Sequence, residues 1–96
     1  MADLEKVLEE RGGNYGPFSG HADCSQALKK EIRYRLALND NFRSLSGIEQ
    51  HTILEGLEMI AHKIGRICNG DPTFEDSWVD IEGYARITNK VLKGEL

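Results

Sequence analysis

The chain has 96 residues, 40% hydrophobic and 29% charged, and twelve Lys and Arg against sixteen Asp and Glu leave a formal charge of −4. This length fits a single domain over residues 1–96, and the composition excludes a low-complexity, disordered or fibrous chain. The acidic balance argues against a duplex nucleic-acid binder, which relies on neutralising phosphates, although a local basic patch stays open.

No apolar run approaches the roughly 18 residues that cross a bilayer, so no membrane association is expected. The opening MADLEKVLEE lacks the apolar segment of a signal peptide, and a cytoplasmic location is expected. Cys24 and Cys68 lack the close spacing of a zinc site and read as two buried, reduced thiols, with a disulfide as the alternative.

Helical spacing recurs in four segments, and no alternating strand pattern persists, so the fold class is all-α. The first helix is expected from about Asp3 to Arg11, with Leu4, Val7 and Leu8 on one face and a stop at Gly12-Gly13-Asn14. A second helix is expected from about Ser19 to Leu38, burying Cys24, Leu28, Ile32 and Leu36 at four-residue intervals. The stretch LNDNFRSLS then reads as a loop.

Ser46-Gly47-Ile48-Glu49 has the form of a capping box, which predicts a third helix beginning at Gly47 and ending at Asn69-Gly70. Its apolar stripe is Ile53, Leu57, Ile60, Ile64 and Ile67, the spacing of a helix packed lengthwise on another. Asp71 or Thr73 is expected to cap a fourth helix running to about Lys93, with Phe74, Trp78, Ile81, Ala85, Thr88 and Leu92 inward and Gly94 as its end. The third and fourth helices are expected to form an antiparallel hairpin within a small up-and-down bundle. Pairing of two such chains would cover apolar surface, which points to a homodimer.

Chemistry-bearing residues gather on the third helix. His51, Glu55, Glu58 and His62 share one flank at 100° per residue, and Asp76 and Asp80 lie one turn apart on the fourth helix. Four carboxylates brought together suit a magnesium ion that clamps a polyphosphate, with Lys63, Arg66 or the run Lys29, Lys30 and Arg33 steadying the phosphates. In the competing reading Asp76 and Asp80 pair with Lys63 and Arg66 across the hairpin, while Glu55 and Glu58 face water. Gly56, Gly65 and Gly83 interrupt the helices and call for close helix approach or room for a ligand. GGNYGPFSG is expected to form a turn open to an anion, where Tyr15 either stacks on a base or plugs the end of the bundle.

ERGGNYGPF together with LEMIAHKIGRICNGDPTFEDSWVDIEGYA resembles the short phage and prophage proteins of domain-of-unknown-function family 6378, over about Glu10 to Val91. More remotely, E-x-x-E followed by an acidic helix and DIxGYA is similar to MazG-type nucleoside triphosphate pyrophosphohydrolases, which are all-α, oligomeric and magnesium-dependent. In that resemblance Glu55 and Glu58 match the first acid pair and Asp80 the last aspartate, while Ser77 stands where the remaining acid would be and Asp76 is its neighbour.

The resemblance implies a phage-type protein that binds, and with a complete acid set hydrolyses, a (deoxy)nucleoside triphosphate. The expected metal ligands are Glu55, Glu58, Asp76 and Asp80, and the expected nucleotide contacts are Tyr15, Lys30, Lys63, Arg66 and Tyr84. The alternative is a non-enzymatic phage accessory protein that inhibits or redirects a host or defence protein.

Overall fold

The structure is a computed structural model, and it describes residues 3–96. All regular structure among them is helical: α1 (Leu4–Tyr15), α2 (Phe18–Ala37), α3 (Asp40–Arg43), α4 (Gly47–Asn69) and α5 (Glu75–Leu92). The all-α class and the α4–α5 hairpin are as the periodicity predicts. No described helix is long and apolar enough to cross a membrane.

The local signals explain most of the boundaries. The Asp3 carboxylate accepts from the Glu5 amide and starts α1. At α4 the Ser46 hydroxyl accepts from the Glu49 amide while the Glu49 carboxylate accepts from the Ser46 amide, completing the expected capping box. Gly94, at φ 73°, closes the end of α5.

Three boundaries differ from expectation. α1 does not stop at Gly12-Gly13-Asn14 but continues to Tyr15, and Gly16 at φ 76° ends it by donating to the Gly12 carbonyl. Two glycines cost a helix about 1 kcal/mol each, and the docking of Tyr15 against Phe74 and Arg66 offsets that cost. The segment after α2 carries a short helix, α3, because the Asn39 side chain accepts from the Phe42 amide. Neither Asp71 nor Thr73 caps α5: Phe74 is the capping position and makes no side-chain bond, while Asp71 accepts from the amide and hydroxyl of Thr73 in a local turn.

The long helices form a layer with α4 between α2 and α5, and α1 lies across the end where α2 begins and α4 finishes. Their apolar stripes face one another, yet Leu28, Ile32, Leu36, Ile53, Leu57, Ile60 and Ile67 remain only half-buried. Ala61 is the one fully buried apolar residue among those described. Trp78, expected inward, is 54% exposed, because its indole N–H donates to the Pro72 carbonyl at 2.8 Å and holds the ring at the α5 entrance. Ala85 and Leu92 are exposed as well.

The accessible surface, 7001 Å², exceeds the roughly 5,500 Å² typical of a folded chain of this mass. The radius of gyration, 15.6 Å, likewise exceeds the roughly 12.5 Å expected for this length. Both cysteines are free, but they are not both buried: Cys24 is half-buried and Cys68 is exposed at the last turn of α4. They are neighbours, and burial followed by the proximity of Cys68 pushes the Cys24 thiol pKa up.

The corner between α1 and α2 is fastened to the end of α4. The Asn69 side-chain amide donates to the Tyr15 and Pro17 carbonyls at 2.9 and 2.8 Å, and the Asp71 amide donates to the Asn14 carbonyl at 2.8 Å. A Cβ at Gly70 would overlap the Asn14 carbonyl and the Tyr15 backbone, neither of which can swing aside. Gly70→Ala is therefore expected to destabilise the chain by about 2 kcal/mol or more. Thermal denaturation would show a fall of roughly 10 °C for that loss.

Candidate functional site

Where α1, the start of α2 and the last turns of α4 meet, they enclose a cavity of about 350 Å³. Arg11 and Tyr15 line it from α1, Phe18 and His21 from α2, and His62 and Arg66 from α4. Helical spacing sets the α4 contribution: residues 62 and 66 are one turn apart and project to the same side. The volume lies within the range of small-molecule pockets.

Arg66 lies over the face of Tyr15, its guanidinium carbon 4.2 Å from the ring centroid. The same ring meets Phe74 edge-on at 5.6 Å, so Tyr15 plugs the end of the bundle and also orients the arginine. Fixing a guanidinium in this way leaves its planar donor edge available to a phosphate or carboxylate.

Two imidazoles form the floor. His21 and His62 are perpendicular, with ring centroids 4.5 Å apart, and His21 is only 5% exposed. Neither nitrogen of His21 has a protein hydrogen-bond partner, and the buried Ser25 hydroxyl one turn further along α2 has none either. The Gly65 carbonyl lies near enough to favour the charged ring, without reaching bonding geometry. Absence of a side chain at Gly65 makes this approach feasible, since a Cβ there would sit 3.2 Å from His21 Nδ1. A buried polar group without a partner costs about 1–3 kcal/mol, so His21 is a candidate for a ligand contact.

Burial is the main cause that holds both imidazoles neutral. Desolvation lowers the His62 pKa to about 4, assisted by His21, Arg66, Lys29 and Lys63, and desolvation with Arg66 lowers that of His21. No carboxylate is among the groups acting on either ring. In a chain of net negative charge, this pocket is locally basic.

The residues expected at a site are brought together only in part. Tyr15 and Arg66 meet in this cavity. Tyr84 lies elsewhere, in an open groove of about 530 Å³ between α4 and α5 with His51, Glu55, Met59 and Ile87. Lys30 sits on a basic patch with Lys29 and Arg33. Lys63 is not free for a ligand, because its ammonium pairs with Asp80 at 2.9 Å.

The four expected metal ligands do not gather in one chain. Glu58 accepts a bidentate bond from Arg33 of α2 at 2.9 and 3.0 Å, whereas Glu55 faces the α5 groove. The hairpin register sets Gly56 beside Thr88 and Lys63 beside Asp80. Asp80 consequently lies about 12 Å along the helix axes from Glu55, and Asp76 about 6 Å further. Ser77 is 2% exposed while Asp76 faces solvent, so Asp76 does not stand in for the acid of the resembled motif. Among the described residues no three His, Cys, Asp or Glu side chains are grouped as a metal site. The pairing of Asp80 with Lys63 is the hairpin stitch of the competing expectation; Arg66 instead engages Tyr15.

His21, Arg11 and Phe18 were not legible as site residues. His21 lies three and four residues before Cys24 and Ser25, which places an imidazole on the inward stripe of α2, and that was its available signal. Comparison of the chain with family models, with curated proteins and with solved structures gave no match.

The depressed imidazoles make stability pH-dependent. Above the ordinary histidine value of about 6.5 both folded and unfolded states are neutral, and below it the unfolded chain takes up protons that folded His62 refuses until about pH 4. Stability is therefore expected to be full above pH 6.5 and to fall between 6.5 and about 4. His62→Gln should flatten that decline in urea titrations run across the interval.

Proposed function

We propose that this chain is a nucleotide-binding helical protein of MazG-like descent, which receives a (deoxy)nucleoside phosphate in the cavity between α1, α2 and α4. The observation that carries the reading is the Arg66 guanidinium, held over Tyr15 at the wall of a cavity whose buried His21 has no protein partner. Arg66 and Arg11 bind the phosphates, and Phe18 and Leu8, exposed at the rim, bind the base. Arginine suits this role because its fork matches phosphate geometry and its charge does not titrate.

Magnesium-dependent hydrolysis is not part of this reading for a single chain. Glu58 and Asp80 are engaged by Arg33 and Lys63, and the remaining acids lie too far apart to share an ion. The chain binds its nucleotide and leaves the phosphoanhydride intact.

The partner in this reading is a second copy of the chain. An excess of roughly 1,500 Å² over the surface of a typical folded chain is what one member of a substantial dimer contributes. On α5 the side chains of Trp78, Val79, Ile87, Val91 and Leu92 are exposed beside the α4–α5 groove and offer an apolar face for such a dimer. The same uncovered face favours a second reading, an accessory protein that docks on a host or defence protein, if the chain stays single in solution.

Isothermal titration with each NTP and dNTP, with and without magnesium, is expected to give binding that does not require the metal and no release of pyrophosphate. Arg66→Ala should weaken that binding at least tenfold, about 1.4 kcal/mol, while Glu55→Gln leaves it unchanged. Absence of binding by every nucleotide would exclude the reading. Light scattering on the purified chain is expected to give twice the monomer mass of 10.8 kDa. A monomer at micromolar concentration would move the α5 face to the accessory reading.

A further inference from the structure

Among the described residues, the two imidazoles lining the cavity pack on one another but take no part in the side-chain hydrogen bonds and ion pairs that fasten the helices. His21 is buried with both ring nitrogens unpartnered, and His62 presents its ring at right angles to it. The charged groups around the pair are of one sign. Arg11 faces the cavity from α1, Lys29 acts from α2, and Lys63 and Arg66 act from α4.

The nearby acids are already engaged. Glu58, one turn before His62, is held by Arg33, and Asp80 of α5 is held by Lys63. Tyr15, the other titratable group on the cavity wall, is stacked under Arg66. The start of α2 adds to the same sign: Pro17 and Phe18 line the cavity, and no side chain caps this helix end, which carries partial positive charge.

The surrounding charge disfavours a cation, and among the described residues no third His, Cys, Asp or Glu groups with the two rings. An anion is favoured, because it replaces the missing counter-charge. Once it is bound, an imidazole that gains a proton donates from both nitrogens and faces opposite charge in place of arginine alone. We infer that His21 and His62, with Arg11 and Arg66, seat a tetrahedral dianion, the phosphoryl group of the ligand or a free phosphate or sulfate, and that the imidazole pair takes up a proton from solvent as the dianion binds.

This deepens the nucleotide reading by assigning the phosphate end of the site, and it makes binding of a dianion that stays ionised tighter as pH falls. No bond is made or broken besides that proton transfer. Lys29 and Lys63 set the threshold by repelling the imidazolium until the dianion arrives.

The test is the imidazole carbon-bound proton spectrum of the full chain between pH 4 and 8, in chloride and then in saturating sulfate. Sulfate stays fully ionised over this range and so reports only the protein's protons. The His62 midpoint, about 4 without the anion, is expected to rise by at least one unit with sulfate. Sulfate affinity should rise about twofold or more between pH 7 and 5, the linkage that a one-unit shift carries, and His62→Gln should abolish that dependence while Arg66→Lys retains it with weaker binding.

Unchanged midpoints at saturating sulfate, or no sulfate binding at pH 5, would overturn the inference, and the unsubstituted chain decides this even if the variants fail to fold. The same titration with dAMP separates the two claims. Shifted imidazoles with sulfate but no binding of dAMP or any nucleotide would sink the nucleotide reading and leave the anion seat standing. Nucleotide binding with unshifted imidazoles would do the reverse.

Discussion

The arrangement depends on the attachment of the α1–α2 corner to the end of α4. One side-chain amide, Asn69, donates to two carbonyls at the chain reversal, that of Tyr15 at the end of α1 and that of Pro17, which also accepts from the His21 amide as α2 begins. A proline follows Gly16 and cannot extend α1, so the Tyr15 carbonyl is an orphan of the helix end, and Asn69 reaches both carbonyls of the reversal. Satisfying them from α4 brings Tyr15 under Arg66 and encloses the cavity. Gly70 makes the contact possible by having no side chain where the Asn14 carbonyl and the Tyr15 backbone pass. The geometry of the pocket is thus a consequence of one polar clamp and one close backbone approach.

Elsewhere the chain is held less completely. Three long helices in a layer bury one face of each contact and leave the other open, which is why the apolar stripes are half-buried and the surface is larger than the mass predicts. An open layer would suit association, because its outer apolar side chains would gain from a partner the burial that the chain itself does not give them. The pocket is independent of that face: it lies at the α1 end, and α5 does not line it. The proposed anion seat and the proposed pairing face therefore occupy separate parts of the fold.

Local rules made most of the helices legible and made the site only partly so. Ser46 and Glu49 marked the start of α4 because a capping box is decided within four residues. The end of α1 was not legible, since Gly12 and Gly13 yield to the long-range docking of Tyr15 on Phe74 and Arg66. The acidic row does not converge within one chain for a similar reason. Spacing places Glu55, Glu58 and His62 on one flank of a helix, but that flank stands between two neighbours: Glu55 turns to the α5 groove, and Glu58 and His62 turn to α2. Tyr15 and Arg66 were recognisable as residue types suited to a nucleotide, whereas His21 was hidden in a stripe that reads as core.

Backbone amide mapping of the isotope-labelled chain with dATP tests the central claim most directly, because it locates the ligand without presupposing an activity. The account predicts shifts concentrated at Tyr15, Gly16, Phe18, His21, His62 and Arg66, at the α1 end of α4. Shifts gathered instead around His51, Glu55 and Tyr84 in the α4–α5 groove, or no shifts at all, would contradict it.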